Sequence, residues 1–497
     1  MAESPPGRSD GTNLDPRKAR PTGRARTAAA RHFSRRYTEL HCHSAYSFLD
    51  GASLPEELAL RAAELGYEAL ALTDHDGVYG SLEFAHAAKA VGVRPITGAE
   101  VTLAGGAHVT LLVEDARGYA NLCRLLTRAH EGTRPAAKRP VRDGGPGEGV
   151  WGIREVPPAT RRSIPPLQPA LPLETLLDHE DGLVCLSGCA RSGVGVLDAN
   201  AAVRLAAAFG DRFYVELQRP YERGDARRNA ALRDLAAALG AATVVTGDVH
   251  AHHPRRTRLQ DVLVAVRNRT SLEGCDRERR GNHEAVLLSA GEVAERFPQD
   301  RDAVVRTAEL ADRLRFDLTE DLGYMYPDFS DGREPAIVQL RRVCDRAFAE
   351  RYAGANGHKK RARERLDEEL ALIDELRLAG FFLLHWEVLE LAREVAREVR
   401  GDSAARQLLP PGRGRGSSVG SIVCYLTGLS HVDPVAAELS LGRFLNRELA
   451  GVPDIDLDFP RDIREKLIVR LTEKYGRDHA ALVASFATYR SRGAIRD

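Results

Sequence analysis

The sequence is short of aromatic side chains and of long apolar runs. Phe, Trp and Tyr make up 6% of its 497 residues, while hydrophobic residues of all types reach 43%. No apolar run approaches the roughly 18 residues that a membrane-spanning helix requires, and the amino terminus has no apolar segment typical of a secretory signal. These absences predict a protein with no membrane partner and a core rich in Ala, Leu and Val. The length suggests roughly three domains.

A net charge and a disulfide framework are also missing. The seven cysteines are scattered and odd in number, which favours a reducing, cytoplasmic location. Lys and Arg together number 71, as do Asp and Glu, so the formal net charge is zero. This balance neither supports nor excludes a nucleic-acid partner, because the average hides local clusters of each sign.

Composition changes along the chain and indicates separate regions. Residues 1–36 are rich in Pro, Gly, Ser and Arg and are predicted to form a disordered basic tail. From residue 37 to about 297, short apolar runs alternate with helical patterns, which indicates a parallel α/β arrangement. A segment at about 131–171 is predicted to be a long surface loop inserted into this region. From about residue 298 the pattern is mainly helical.

Two stretches carry clear helix signals. In "SLPEELALRAAELG", Ser53 is predicted to cap a helix, with Glu56 closing a capping box and Gly66 ending it. Further on, "ARERLDEELALIDELRLAGFFLLHWEVLELAREVAREV" predicts two helices with a break near Ala379 and Gly380.

Metal-binding side chains stand at the ends of the predicted strands in the first region. Imidazole, carboxylate and thiolate groups are typical ligands of Zn²⁺, Mn²⁺ or Fe²⁺. Each such residue alone is more often a packed or surface side chain, but nine of them suit two or three metal ions. In a parallel α/β barrel the strand ends meet at one face, so the pattern predicts a metal cluster that hydrolyses phosphoesters. The nine candidates are His41, His43, Asp50, His75, Glu100, His108, Cys189, Asp248 and His250.

The motif series "LHCHS…FLDG…TDH…GAE…H…SGC…GDVH" resembles the PHP (polymerase and histidinol phosphatase) family over residues 37–290. The resemblance implies a distorted seven-stranded (β/α)7 barrel that binds up to three metals. The ligand positions of the family fall on the nine residues named above, and none of them is lost. The implied ions are two or three divalent metals, Zn, Mn or Fe.

A second constellation combines a glycine-rich loop with a strand of alternating aspartates. "GRGRGSSVGS", from Gly412 to Ser421, has the glycines, hydroxyls and arginines that bind phosphate oxygens. In "GVPDIDLDFP", alternation predicts a strand with Asp454, Asp456 and Asp458 on one face. A carboxylate pair on one strand can hold two Mg²⁺ ions for phosphoryl transfer. Together the two motifs predict a nucleotidyltransferase site.

The series "GRGSSVGSIVCYLTGLSHVDP…GRFLNRE…PDIDLDF" resembles the palm of bacterial C-family DNA polymerases, the α subunit of polymerase III. The resemblance implies that Asp456 and Asp458 are catalytic and bind Mg²⁺, and that Asp454 has no catalytic role. It also implies that Arg415-Gly416-Ser417 contacts the nucleotide. The stretches "ELHCHSAYSFLDGASLPEEL", "SIVCYLTGL" and "ALVASFATYRSRGAIRD" are most similar to the error-prone, translesion branch.

The implied organisation is an α/β PHP barrel followed by an incomplete α+β polymerase palm. The palm is expected at 291–488, and 489–497 is expected to be the start of a truncated thumb. The implied activity is DNA-directed DNA synthesis from a primer 3′ end during translesion synthesis in DNA repair. Because a third aspartate of the family falls outside this sequence, the fragment is expected not to polymerise by itself. Its PHP part is expected to hydrolyse phosphodiesters as a 3′–5′ exonuclease does.

Implied partners are a DNA primer-template, deoxynucleoside triphosphates, the sliding clamp and translesion accessory proteins. Two other functions stay open. One is a non-catalytic DNA-binding or scaffold fragment, and the other is a PHP phosphoesterase acting alone.

Overall fold

The computed structural model describes most of the chain outside a few segments. Arg36 is the only described residue of the predicted tail, and most of the predicted loop at 131–171 and of the segment 489–497 lies outside the described part. The chain forms two compact units, residues 1–322 and 323–497. The described residues are 36–133, 168–323, 334–354, 357–401, 412–447 and 453–476, with separate residues between 478 and 493.

Unit 1 is built on a six-stranded sheet whose strands follow one another in chain order. Neighbouring strands are parallel, except that β3 runs antiparallel to both β2 and β4. The expectation of a wholly parallel sheet is therefore wrong at β3. Only a short turn at 103–107 joins β2 to β3, and a parallel crossover needs a dozen or more residues. The strands are Ala69–Leu72 (β1), Arg94–Thr102 (β2), His108–Val113 (β3), Leu183–Leu186 (β4), Phe213–Gln218 (β5) and Ala242–Thr246 (β6).

An extended segment at the start of the described chain joins the two edges of this sheet. Glu39 forms a parallel bridge with Leu70 of β1, and Cys42 forms one with Val249, just after β6. The segment therefore takes the place of a seventh strand, which agrees with the predicted distorted barrel. Its hydrogen bonds are too few for it to count as a regular strand.

The inside of the barrel has an apolar layer and a polar layer. One buried cluster contains Leu40, Ile96, Leu112 and Val244, and Leu310 of the last helix of the unit packs into it. Because side chains alternate along a strand, the next inward positions toward the other end carry polar groups. These inward polar residues are Glu100, Thr110, Glu216, Gln218, Thr246 and Asp248.

The helices of unit 1 flank this sheet. The predicted cap of the first helix is wrong by one residue: Leu54 is the N-cap, and Glu57 accepts a hydrogen bond from the Leu54 N–H at 2.9 Å. Pro55 at the first helical position favours that start, and the Ser53 hydroxyl pairs with His252 instead. The helices are Pro55–Glu64 (α1), Ser81–Ala90 (α2), Ala116–Ala129 (α3), Leu173–Leu177 (α4), Val194–Leu197 (α5), Ala199–Phe209 (α6), Asp225–Leu239 (α7), Thr257–Asn268 (α8), Ala290–Arg296 (α9) and Arg301–Arg313 (α10).

Unit 2 is mainly helical and contains a two-stranded antiparallel sheet, β7 with β8. The predicted pair of helices is confirmed, with the break at 376–378. The aspartate strand is shorter than predicted and covers Asp456–Asp458 only. The helices and strands of unit 2 are Ala336–Arg351 (α11), Lys359–Glu375 (α12), Ala379–Arg400 (α13), Arg413–Arg415 (β7), Ile422–Thr427 (α14), Asp456–Asp458 (β8) and Arg461–Tyr475 (α15).

Two further expectations concern membranes and cysteines. Within the described residues, no helix has both the length and the apolar character needed to span a bilayer. All seven cysteines lie in described regions and are free thiols.

Candidate metal centre and nucleotide loop

The polar layer of the barrel brings the predicted metal ligands together. His108 is the first residue of β3, and because β3 runs antiparallel to β2 and β4, this residue lies at the same end of the sheet as the last residues of those two strands. His75 bridges to Glu100 just beyond β1. The reversed direction of β3 thus explains why the predicted ligand His108 is the first residue of its strand, whereas other predicted ligands lie near the last residues of theirs.

His41 stands at the bottom of the centre between two buried carboxylates. Its Nδ1 lies 2.6 Å from Glu216 and its Nε2 lies 2.6 Å from Glu100. Burial opposes protonation of the ring, but Glu216 and Glu100 hold the pKa of His41 well above its usual value. A carboxylate on one ring nitrogen fixes the ring and leaves the other nitrogen for an ion. Glu216 therefore orients His41.

His43 occupies the middle of the centre and has an unsatisfied nitrogen. Its ring stacks on His75 at 4.2 Å and lies 4.4 Å from the ring of His250. Its buried Nε2 has no hydrogen-bond partner among the described residues. Burial and the neighbouring His75 and His250 hold the pKa of His43 well below its usual value. A neutral, buried imidazole with a free lone pair has the chemistry of a metal ligand.

Donor atoms around His43 fall into three overlapping groups, in each of which the atoms lie within 4.8 Å of one another. Buried polar atoms without partners are rare and costly, and an ion shared by such donors would satisfy them. The donor set therefore fits divalent metals. The groups are His43, His75 and His250; His41, His43, Glu100 and Asp248; and His75, Glu100 and His108.

Asp50 and Cys189 lie at the margin of these groups. Asp50 Oδ2 is 3.5 Å from His75 Nε2, and Asp50 Oδ1 is 3.8 Å from His250 Nε2. The Cys189 sulfur is 3.2 Å from the Ser192 hydroxyl, which lies 3.1 Å from His108 Nδ1. Burial opposes charge on His108, but Cys189 and Glu100 raise its pKa to about 10. The structure thus gathers all nine predicted ligands at one barrel end.

Arg280 is a member of the centre that the sequence did not indicate. Its guanidinium lies 2.9 Å from Asp248 Oδ2 and 3.0 Å from His250 Nδ1, and its side chain is 13% exposed. Burial would raise the pKa of Asp248, but Arg280 and His250 hold it well below the usual range. Burial and Arg280 lower the pKa of His250 to about 4. Arg280 therefore supplies positive charge among the ligand carboxylates.

In unit 2, the predicted phosphate loop and the predicted aspartate strand form one small sheet. Arg415 of β7 is paired in register with Asp456 of β8. Arg415 Nη1 lies 3.3 Å from Asp456, and its Nε lies 3.3 Å from Asp458. Ile455 packs into the core of the unit, and Leu457 packs against it. The alternation therefore places both carboxylates on the side away from the core, where Arg415 supplies the cation between them.

The loop leads into a helix whose first turn is held by a buried carboxylate. Gly416 has a positive φ of 76°, and residues 416–420 form a single 3₁₀ segment before α14. Glu369 accepts hydrogen bonds from the Ser421 hydroxyl and from the Ile422 N–H at 3.0 Å. Burial raises the pKa of Glu369 to about 7. This contact positions the loop that carries Ser417.

Two regions of the chain match families of known proteins. Residues 39–220 match the PHP domain, and residues 338–497 match the bacterial DNA polymerase III alpha NTPase domain. The error-prone DNA polymerase of Symbiobacterium thermophilum is 39% identical over 471 residues, covering 93% of this chain and 40% of that protein. The one from Mycobacterium bovis is 36% identical over 498 residues, covering 96% and 41%. The chain thus combines a region that matches the PHP domain with a region that matches the bacterial DNA polymerase III alpha NTPase domain.

This chain is similar to curated proteins named error-prone DNA polymerase and spans about two fifths of their length. Among solved structures, an amidohydrolase from Chromobacterium violaceum covers 43% of the chain at 21% identity with a TM-score of 0.28. That likeness is too low to support an argument.

Three contributors to the sites were missed from sequence. Glu216 and Arg280 contact predicted metal ligands, and Glu369 accepts hydrogen bonds from the start of the helix that follows the predicted phosphate loop. The stretch "RFYVELQ" held a usable signal, since Glu216 and Gln218 alternate with apolar residues on a strand that is otherwise buried. Arg280 and Glu369 had no such local signal.

Proposed function

We propose that unit 1 is a metal-dependent phosphodiesterase of the PHP type that removes nucleotides from a DNA 3′ end. The observation that carries this proposal is the buried His43 Nε2, which has no hydrogen-bond partner among the described residues and lies 3.5 Å from Asp248 and 3.7 Å from Glu100. A site that served packing alone would leave no such atom unsatisfied.

We assign the nine gathered side chains as ligands of two or three divalent ions, Zn, Mn or Fe. Ions bound there would supply an activated water and stabilise negative charge on a phosphoryl group. Glu216 keeps the His41 ring in place, and Ser47 holds the His43 ring through a contact of 3.1 Å at Nδ1. Arg280 lies close enough to these ligands to contact an oxygen of the bound phosphoryl group as well.

A nuclease assay with metal analysis tests this proposal. The purified chain, with Mn²⁺ and a single-stranded oligonucleotide, is expected to release mononucleotides from the 3′ end. His41→Ala and Asp248→Ala are expected to abolish release, while Asp181→Ala, at an exposed position, serves as the matched control. Equal activity in all variants would disprove the assignment. A non-catalytic scaffold would instead carry no stoichiometric Mn, Fe or Zn.

For unit 2, we propose part of a nucleotidyl-transfer site. Asp456 and Asp458 are its catalytic residues and the ligands of Mg²⁺, and Arg415, Gly416 and Ser417 contact the incoming nucleotide. The pairing of β7 with β8 supports this proposal, because it puts the loop within 3.3 Å of both carboxylates. Mg²⁺ prefers such oxygens and takes its remaining ligands from water and phosphate.

Nucleotide binding tests the second site. Mg²⁺-dependent binding of a deoxynucleoside triphosphate, measured by calorimetry, is expected to be lost in Asp456→Asn and Asp458→Asn. Asp454→Asn is the matched control, since Asp454 belongs to the same motif but lies outside β8. Equal losses in all three variants would count against the assignment of the pair.

The whole protein is proposed to be an error-prone DNA polymerase that extends a primer-template with deoxynucleoside triphosphates during translesion synthesis. The similarity to proteins of that name supports this role. Binding to a sliding clamp and accessory proteins and the domain limits 37–290, 291–488 and 489–497 stay predictions from the resemblance. The cytoplasmic location stays a prediction from the scattered, odd-numbered cysteines.

A further inference from the structure

The turn that follows His43 places a buried hydroxyl beside the metal centre. The Ser47 Oγ in this turn lies within hydrogen-bond distance of three groups. It is 3.1 Å from His43 Nδ1, 2.7 Å from Asp74 Oδ1 and 3.0 Å from the backbone nitrogen of His75. His43 and His75 are proposed metal ligands, so one hydroxyl contacts two of them and joins both to a buried carboxylate.

The three contacts of the Ser47 hydroxyl determine where its proton lies. A serine hydroxyl has one proton to donate and two lone pairs that accept, whereas an ionised carboxylate can only accept. Ser47 therefore donates its proton to Asp74. The backbone N–H of His75 can only donate, so it occupies one lone pair of Ser47. The other lone pair faces His43, and this arrangement requires a proton on His43 Nδ1.

Asp74 is held as an acceptor by two further contacts. The Ser44 N–H donates to Asp74 Oδ1 at 2.6 Å, and the Ser44 hydroxyl donates to Asp74 Oδ2 at 2.7 Å. With Ser47, three donors thus face the two carboxylate oxygens, and such hydrogen bonds favour the ionised form. The side chains of Ser44, Ser47, Asp74 and His43 belong to residues that are at most 1% exposed, so solvent does not compete for these contacts.

A proton on His43 Nδ1 leaves the lone pair of the ring on Nε2. A histidine binds a metal as the neutral imidazole, and the hydrogen bond of one ring nitrogen determines which nitrogen is free for the ion. His43 Nε2 is the buried atom that has no hydrogen-bond partner among the described residues, and it lies 3.5 Å from Asp248. A proton on Nε2 would block binding of an ion there.

We propose that Asp74 is a positioning residue that acts through Ser47 to hold His43 in the Nδ1–H tautomer, with its Nε2 lone pair directed into the metal centre. The inference rests on the proposed function of unit 1, in which His43 is a metal ligand, and adds the two residues that select its tautomer. Asp74 directly precedes His75 in the chain, and the contact of Ser47 with the His75 N–H fixes the backbone of that ligand as well.

Nuclear magnetic resonance of the metal-free chain measures the tautomer directly. Long-range ¹H–¹⁵N correlation spectra with ¹⁵N-labelled histidine show which ring nitrogen carries the proton, and the signals of His43 are identified by their loss in His43→Gln. In the wild type, His43 is expected to be protonated at Nδ1. Ser47→Ala is expected to move the proton to Nε2, because the carboxylates of Asp248 and Glu100 are then the acceptors that remain near the ring.

Ser44→Ala is the matched control for Ser47→Ala. It removes a hydrogen bond of the same 2.7 Å length from the same carboxylate, but the Ser44 hydroxyl pairs with Asp74 and with the Tyr46 N–H rather than with His43. It is expected to leave the proton on Nδ1. Asp74→Asn keeps an acceptor oxygen for Ser47 and is expected to do the same, whereas Asp74→Ala is expected to release the proton to Nε2.

Calorimetric titration with Mn²⁺ gives a second readout. Ser47→Ala is expected to bind Mn²⁺ roughly 10–100-fold more weakly than the wild type, while Ser44→Ala binds it as the wild type does. A wild-type His43 protonated at Nε2 would overturn the inference. Affinities that fall equally, or not at all, in the two serine variants would also overturn it, since Asp74 would then merely support the turn. A chain that has Nδ1–H on His43 and binds Mn²⁺ but releases no nucleotides would support the inference and disprove the proposed activity alone.

Discussion

The two candidate sites use aspartates in opposite surroundings. Asp248 in unit 1 has a side chain that is 7% exposed and in contact with Arg280 and three histidines. Asp456 in unit 2 is 42% exposed and forms an ion pair with Arg415. A buried carboxylate must be paired to be tolerated, whereas an exposed one is screened by water. Substitutions at the first site are therefore expected to lower the stability of unit 1. At the second site, the exposed carboxylate can exchange Arg415 for another cation without such a loss.

Among the tests of this contrast, a substitution of Arg280 is expected to have the largest effect on stability. In EDTA, Arg280→Met is expected to lower the free energy of unfolding of unit 1 by about 3–5 kcal/mol, because Asp248 would be left as an unpaired buried charge. Added Mn²⁺ is expected to restore most of that loss, since the ion replaces the missing cation. Thermal unfolding with and without Mn²⁺ measures both effects.

The neighbouring Arg279 gives the control for this prediction. Arg279 pairs with Asp276 and Asp261, which are not among the proposed ligands. Arg279→Met is expected to destabilise the chain equally with and without Mn²⁺. If Mn²⁺ rescued both variants alike, the special relation between Arg280 and the metal centre would be refuted.

In unit 2, the strongest dependence of stability on pH is expected to come from Glu369. Its pKa is raised by burial to about 7, so the folded state holds a proton that the unfolded state releases above its ordinary pKa near 4.5. Stability is therefore greatest below that value and falls as pH rises through about 7, by at most about 3 kcal/mol. Glu369→Gln is expected to flatten this dependence.

Hydrogen exchange of the backbone amides of α14 between pH 5 and pH 8 is the suitable measurement. A local probe is needed because burial also raises the pKa of Glu39 in unit 1 to about 7. Protection of α14 that fell equally with pH in the wild type and in Glu369→Gln would assign the effect to another group.

A smaller effect is expected at Glu216, which acts on the metal centre through His41. Glu216→Gln is expected to weaken Mn²⁺ binding by roughly 10–100-fold, because the neutral amide orients the imidazole without raising its basicity. Calorimetric titration of the metal-free chain measures this loss. The control is Glu222→Gln, whose carboxylate pairs with Arg191. Similar affinities in both variants would mean that Glu216 does not orient a ligand.

Much of both sites was predictable because their residues lie in short local motifs. The pairs His41–His43 and Asp248–His250 are two residues apart, and the spacing alone places each pair at one point of the fold. The missing contributors act across long separations: Glu216 lies 175 residues from His41, and Glu369 lies 52 residues from Ser421. Such contacts depend on how distant segments of the chain pack together, and the sequence does not indicate which partner a residue will meet.

The fold was likewise predictable where it depends on the pattern within one segment, and less so where it depends on how segments are connected. The alternation of strands and helices was read correctly, but the direction of β3 and the exact N-cap of α1 were not. The first error arose from the short turn at 103–107, and the second arose from Pro55, which favours the first position of the helix. A sequence pattern defines which residues form an element, whereas its direction depends on how few residues connect it to the preceding one.

The smallest expected effect is on unfolding in Asp456→Asn, and it completes the comparison with Asp248. The carboxylate is half-exposed and Arg415 is more exposed still, so water replaces the lost contact. The free energy of unfolding is expected to change by less than about 0.5 kcal/mol, while the same substitution at Asp248 leaves Arg280 buried and unpaired and costs several times more. Denaturant unfolding of both variants in EDTA measures the difference. Equal losses would show that exposure does not distinguish the two sites.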